Sequence, residues 1–207
     1  MSLIKPSAGP AGTEEARGQQ RDYAGLVDAL HQGDPAARRW AARDLLDHPQ
    51  ASAALVRRLR QEEQVSVREV ILTSLTRLGD ADAVAGLVDC LRSDDAQLRN
   101  EAIGAMKALP LAMAPIMDGL LADADPDVRI LAVNILESLR HAGVEDWLIA
   151  VIERDEQVNV CATAVDLLGE LGSSAAREAL LRLKRRFDGE PYIQFAADLA
   201  LKRIEQG

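Results

Sequence analysis

The chain has 207 residues, of which 48% are hydrophobic but only 3% aromatic, and this composition favours closely packed helices over a core of large rings. Its net charge of -9 and pI near 4.9 argue against binding to nucleic acid or to an anionic membrane surface, both of which select basic patches. The chain has only two cysteines. It also lacks an apolar run of the ~18 residues that a membrane span needs, so we expect a reduced, cytoplasmic protein.

Residues 1–20 are rich in Gly, Ala, Pro, Glu and Gln. Such a segment cannot bury enough apolar surface to fold, and it predicts a disordered leader over residues 1–20. The remainder, 21–207, is predicted to be a single repeat domain.

One sequence pattern recurs along this domain: an acidic or amide residue, two spacers, an apolar residue and then arginine. It begins at Asp34, Gln64, Asp95 and Asp125, and its arginines are separated by 30, 31 and 30 residues. Two degenerate copies follow, with Cys161 and Gln194 at the arginine position. A constant step of this kind is typical of repeat proteins.

Apolar spacing predicts a helix in each copy, because the residues fall at i, i+4, i+7, i+8 and i+11. In the fourth and fifth copies these are Val128, Ala132, Ile135, Leu136, Leu139, and Val160, Ala164, Leu167, Leu168, Leu171. Asp34 and Asp125, each followed by proline, are predicted to cap helix starts. Glycines are predicted to end helices at Gly79, Gly143 and Gly172.

A shorter amphipathic segment precedes each copy and predicts a first helix. These segments are Tyr23–Gln32, Ala51–Glu62, Ala81–Arg92, Leu111–Ala122, Val144–Arg154 and Ala175–Phe187. Alternation of two helices at one period, without a strand pattern, predicts an all-α fold: a right-handed α-α superhelix (α-solenoid) of about six hairpins. The expected repeats are approximately 21–48, 49–79, 80–110, 111–142, 143–172 and 173–207.

The pattern D-P-x-V-R-x-x-A, followed by an apolar pair and a terminal Leu-Gly, resembles HEAT repeats. Its short period is most similar to the HEAT-like repeats of the phycobilisome lyase subunits. The resemblance implies that inter-helix Asp and second-helix Arg residues form a structural polar ladder, with a phosphate-binding row as an alternative. The ladder positions here are Asp34, Arg38, Arg68, Asp95, Arg99, Asp125 and Arg129.

We identify no catalytic, metal-binding or cofactor-binding motif in the sequence. The histidines His31, His48 and His141 lack metal-ligand spacing, and Cys90 and Cys161 lie in apolar helical settings typical of inert thiols. Paired carboxylates such as Glu62-Glu63 are expected in turns open to water. A helical-repeat DNA glycosylase is an unfavoured alternative, because the two basic clusters, residues 57–60 and 184–186, lie on first helices, which are convex in the family.

In the resembled family the second helices line a concave face, and we expect a protein or peptide partner there. The predicted partner-binding residues are Arg39, Trp40, Arg43, Glu69, Thr73, Asn100, Lys107, Asn134, Glu137 and Asp166. The expected function is a non-catalytic interaction scaffold. Two alternatives are kept: a phycobilin-lyase-like enzyme subunit or chaperone, and a purely structural module. The oligomeric state stays open.

Overall fold

The computed structural model describes residues 22–206, and the predicted leader lies outside them. Every regular element in this range is helical, as the sequence predicts. The α-helices are α1 Tyr23–Gln32, α2 Pro35–Asp44, α3 Ser52–Leu59, α4 Val65–Leu78, α5 Ala81–Cys90, α6 Ala96–Lys107, α7 Pro110–Met113, α8 Met117–Leu121, α9 Pro126–Leu136, α10 Val144–Arg154, α11 Val158–Leu171, α12 Arg177–Arg186 and α13 Pro191–Gln206. Short 3-10 turns cover Leu45–Asp47, Ala114–Ile116 and Ser174–Ala176.

The chain divides into two compact units, an N-terminal unit ending at Gly86 and a C-terminal unit beginning at Leu87. In the N-terminal unit, α1 packs on α2 and α3 packs on α4, and the two second helices α2 and α4 pack on each other. In the C-terminal unit, α10 packs on α11 and α12 on α13, while α11 contacts both α9 and α13. Helical hairpins stacked through their second helices are the repeat architecture that the sequence predicts.

Aliphatic side chains at helical spacing form the core of each unit. Val67, Ile71 and Leu75 recur every four residues on α4 and are fully buried. All five apolar positions predicted in the fourth copy are buried, whereas Leu171 of the fifth copy is 50% exposed. Among residues 22–206 no aromatic side chain is in the buried core, so close packing of small and branched side chains holds the hairpins together.

The caps of the helices follow the local sequence. Asp34 and Asp125 accept hydrogen bonds from backbone amides of the first turn of α2 and α9, as predicted. Gly79 ends α4 in the left-handed conformation at φ 57°, which glycine adopts without a Cβ clash. The prediction for Gly143 is wrong: α9 already ends at Leu136, and Gly143 instead precedes the first residue of α10.

Within residues 22–206, no single helix combines the length and apolarity that crossing a membrane requires. Ala96–Lys107 and Pro110–Leu121 reach that threshold only as a pair bent by 100°. Buried residues of this pair, such as Met106, Met113 and Met117, belong to the protein core.

Candidate functional site

The second helices of the N-terminal unit form a groove of about 360 Å³, here called the arginine groove. Its lining residues come from α2, the 3-10 turn after it and α4: Arg43, Leu46, Glu69, Val70, Thr73, Ser74 and Arg77. The structure thus brings together three of the predicted partner-binding residues, Arg43, Glu69 and Thr73. Arg77 also lines this groove, and the sequence reasoning did not select it.

A buried hydrogen bond fixes the two helices that carry the groove. The Ser74 hydroxyl, 1% exposed, donates to the backbone oxygen of Ala42 over 2.9 Å and so joins α4 to α2. The Thr73 hydroxyl donates to the backbone oxygen of Glu69 within α4. Because both helices are packed and bonded to each other, the side chains at the groove project from a rigid surface.

Trp40 lies one turn before Arg43 on α2 and is 60% exposed. The Arg43 guanidinium lies 5.3 Å from the centre of its ring, within cation–π range. Arg39 is exposed on the same helix. An exposed indole beside guanidinium groups offers a flat apolar surface next to positive charge.

The second helices of the C-terminal unit form a smaller groove of about 240 Å³, here called the acidic groove. Its lining includes three predicted residues, Asn134, Glu137 and Asp166, together with Glu170. Lys107 donates to Glu137 over 2.7 Å, and this hydrogen bond lowers the pKa of Glu137. Asn100 is exposed and lines none of the grooves described.

Tyr192 of α13 reaches the acidic groove from the next hairpin. Its hydroxyl donates to an Asp166 carboxylate oxygen over 2.7 Å, and this bond to a charged acceptor raises the pKa of Tyr192. Two of the carboxylates that line the acidic groove, Glu137 and Asp166, are therefore hydrogen-bonded to other side chains.

A third pocket, also of about 360 Å³, lies around Trp147 on the first-helix side of the C-terminal unit. The Trp147 indole donates to Asp118 over 2.7 Å and stacks on His141 at 4.9 Å between ring centres. Both the N–H and a face of this ring are therefore occupied within the protein. The sequence reasoning did not identify this pocket, because its residues other than Arg129 of α9 belong to turns and first helices.

The predicted ladder arginines close the turns that precede their helices. Five of the six equivalent positions donate to a carbonyl oxygen five to seven residues earlier: Arg38 to Gly33, Arg99 to Ser93, Arg129 to Asp123, Cys161 to Asp155 and Gln194 to Phe187. The sixth, Arg68, is 5% exposed. Satisfying these carbonyl groups is a structural role.

Two of these arginines also bind a carboxylate of the following hairpin. Arg38 donates to both oxygens of Glu62 at 2.8 and 3.0 Å, and Arg129 donates to both oxygens of Asp155 at 2.6 and 3.0 Å. The acidic residues of the predicted ladder, Asp34, Asp95 and Asp125, accept hydrogen bonds from backbone amides at helix N-termini.

The expectation that Glu62 lies in a turn open to water is wrong, since Glu62 is 5% exposed. Burial alone would raise the pKa of its carboxyl group, but hydrogen bonds from Arg38, Arg58 and the Gln64 amide lower it to about 2. A carboxylate held ionised in this way is an anchor for the arginines and not a general acid.

Both cysteines lie in the buried core of the protein. Cys90 and Cys161 form no disulfide with each other, and burial raises the pKa of Cys161 to about 11, so its thiol stays protonated at neutral pH. The described part of the chain contains no group of three or more His, Cys, Asp or Glu residues placed to hold a metal ion.

Comparison with known proteins gives two curated relatives. The bilin biosynthesis protein PecE of Nostoc sp. (strain PCC 7120) is 40% identical over 148 residues, covering 70% of this chain and 58% of that protein. PecE of Mastigocladus laminosus is 31% identical over 151 residues, covering 71% and 56%. The chain therefore spans less than three-fifths of the length of these relatives.

A solved structure supports the fold. The archaeal HEAT-like repeats protein from Thermococcus onnurineus NA1 aligns over 96% of this chain and 99% of its own, with 16% identity and a TM-score of 0.51. At this identity the likeness shows the all-α repeat fold and nothing about function.

The similarity to two bilin biosynthesis proteins contradicts the expected function of a non-catalytic scaffold and favours the alternative of a lyase-like role. The scaffold interpretation relied on the absence of a catalytic motif, and repeat surfaces bind ligands without one. The sequence also matches the family described as HEAT repeats over residues 23–107 and 113–204. These matches cover most of the chain, which therefore belongs to the HEAT-repeat family.

Proposed function

We propose that this chain acts in bilin biosynthesis, as a subunit of a phycobilin-lyase-like enzyme or as a chaperone that holds the bilin for such an enzyme. The observation that carries the proposal is the 40% identity to PecE over 148 residues. That region amounts to 70% of this chain, so the likeness extends over several repeats and exceeds what a single shared hairpin would produce.

The surface chemistry is compatible with this function. A bilin is a flexible, conjugated chain of four pyrrole rings with two propionate groups, so a protein that holds it needs cationic and aromatic side chains on an open surface. The arginine groove and the exposed ring of Trp40 provide both. The expected protein partner fits the same proposal, because a lyase subunit delivers its bilin to an acceptor protein.

Titration of the purified chain with phycocyanobilin tests the proposal. We expect the visible absorbance band to shift to the red and the shift to saturate, because a bound bilin is held in a more extended conformation than in water. A designed armadillo repeat protein, which shares the helical-repeat architecture, is the control and should leave the spectrum unchanged. A spectrum identical to that of free bilin at every concentration of this chain would reject the proposal.

A further inference from the structure

The arginine groove carries a net positive charge, because two arginines and one carboxylate, that of Glu69, line it. Arg43 and Arg77 are exposed and line the same groove, and neither forms an ion pair with any residue in the range 22–206. Many other arginines of the described chain do have such a partner: Arg38, Arg58, Arg92, Arg129, Arg177 and Arg182. Like charges on one groove repel each other, and an anion bound between them would remove that cost.

Trp40 adds an aromatic surface beside these cations. It is 60% exposed, although tryptophan is highly buried on average, and tryptophan is enriched among the residues that dominate binding interfaces. The contrast with Trp147 is direct, because Trp147 donates its N–H to Asp118 and stacks on His141. The Arg43 guanidinium lies 5.3 Å from the centre of the Trp40 ring, and the exposed part of the ring is open to a ligand.

The remaining lining of the groove suits a conjugated ring. Leu46 and Val70 supply apolar surface, and Glu69 supplies a carboxylate that can accept a hydrogen bond from a pyrrole N–H. The volume of about 360 Å³ is near the lower limit for small-molecule sites, so the groove fits the carboxylate-bearing part of an extended ligand.

We propose that the arginine groove binds a bilin through its two propionate groups, with Arg43 and Arg77 donating to the carboxylates and Trp40 stacking on a pyrrole ring. This inference rests on the proposed function and assigns it to named residues. Arginine is suited to this role because its planar fork of N–H groups matches a carboxylate.

The test compares phycocyanobilin with its dimethyl ester, in which both propionate charges are removed. We expect wild-type protein to bind the free acid at least tenfold more tightly than the ester, because the ester cannot accept charge-assisted hydrogen bonds from the two arginines. The double variant Arg43→Gln/Arg77→Gln should bind the acid at least tenfold more weakly than wild type and should no longer distinguish acid from ester.

Arg57→Gln is the matched control, since Arg57 is an exposed arginine of the same unit on the first helix α3. It should retain the wild-type affinity and the preference for the acid. Trp40→Leu should also weaken binding, but should keep the preference for the acid because both arginines remain. The far-ultraviolet circular dichroism of all variants should match that of wild type, because the replaced side chains are exposed.

Each outcome separates the two proposals. If wild-type protein binds phycocyanobilin but the double variant binds it equally well, or still prefers the acid over the ester, the arginine groove is not the site and the proposed function stands. If wild-type protein binds neither compound, the proposed function fails and this inference fails with it.

Discussion

At the scale of the residue, the most constrained group is the Glu62 carboxylate. It accepts hydrogen bonds from Arg38, Arg58 and the Gln64 amide while its side chain is 1% exposed. Removing the charge would leave two guanidinium groups without their anionic partner in a partly buried position, which is more damaging than the loss of a surface ion pair.

Glu62→Gln should lower the free energy of unfolding at pH 7 by about 3 kcal/mol. The pKa of Glu62 is about 2 in the folded chain and near 4.5 when unfolded. The stability from its ionised form is therefore complete above pH 4.5 and is lost as the pH falls towards 2. Urea unfolding of wild type and variant at several pH values measures this difference.

The control is Glu63→Gln, which removes the same charge from the exposed neighbouring residue. It should change stability by less than about 0.5 kcal/mol at any pH. Equal stability of Glu62→Gln and Glu63→Gln at neutral pH would contradict the assigned role of Glu62.

Sequence reasoning found the arginine positions but not their acidic acceptors. Glu62 and Asp155 lie 24 and 26 residues after Arg38 and Arg129, in the next inter-helix turn. Because consecutive hairpins stack on each other, the inter-helix turn of one hairpin lies beside the ladder arginine of the hairpin before it. An acidic residue at this offset in the sequence could therefore have predicted the ion pair. A spacing rule cannot find the contact at Cys161, where Arg186 of α12 donates to the sulfur and to the Asp155 carbonyl oxygen.

At the scale of the element, Gly86 determines how closely α5 approaches α3. A Cβ at this position would lie 2.2 Å from Val56 Cγ2 and 2.7 Å from Val56 Cγ1. Val56 is β-branched and 7% exposed, so it has few other rotamers in which to avoid the clash. The absent side chain is therefore a condition for packing these two helices.

Gly86→Ala should destabilise the protein by about 1–3 kcal/mol, despite the better helix propensity of alanine, because overpacking outweighs that gain. Gly104→Ala on α6 is the matched control, since nothing lies within 4 Å of its Cβ position. It should stabilise by about 0.5–1 kcal/mol. Thermal unfolding of both variants measures the difference. Equal stability of Gly86→Ala and Gly104→Ala would contradict the inference that Gly86 is required for the close contact with Val56.

Helix order and several boundaries could be predicted from apolar periodicity. The segments Tyr23–Gln32 and Val144–Arg154 have the predicted bounds. The predicted helix Leu111–Ala122 is instead broken into α7, a 3-10 turn and α8, because Pro115 lies in its middle and cannot donate a backbone hydrogen bond. The proline is visible in the sequence, so this break in the helix could also have been predicted.

At the scale of the whole molecule, the HEAT-repeat pattern predicts the fold but leaves the function open. Each hairpin buries its neighbour, and this requirement fixes apolar positions and turn residues while leaving the exposed second-helix faces free to vary. Arg43, Arg77 and Trp40 belong to those faces, and no spacing rule distinguishes a ligand site there from a solvated surface. The wrong expectation of a scaffold has this origin.

In the proposed function, the chain binds a bilin at one defined site. A free bilin interconverts between mirror-image helical conformations in water and therefore has no net circular dichroism in its visible band. We predict that adding the purified chain to phycocyanobilin induces a visible circular dichroism signal that saturates with stoichiometric bilin. A visible spectrum that stays without circular dichroism at saturating protein concentrations would contradict the claim.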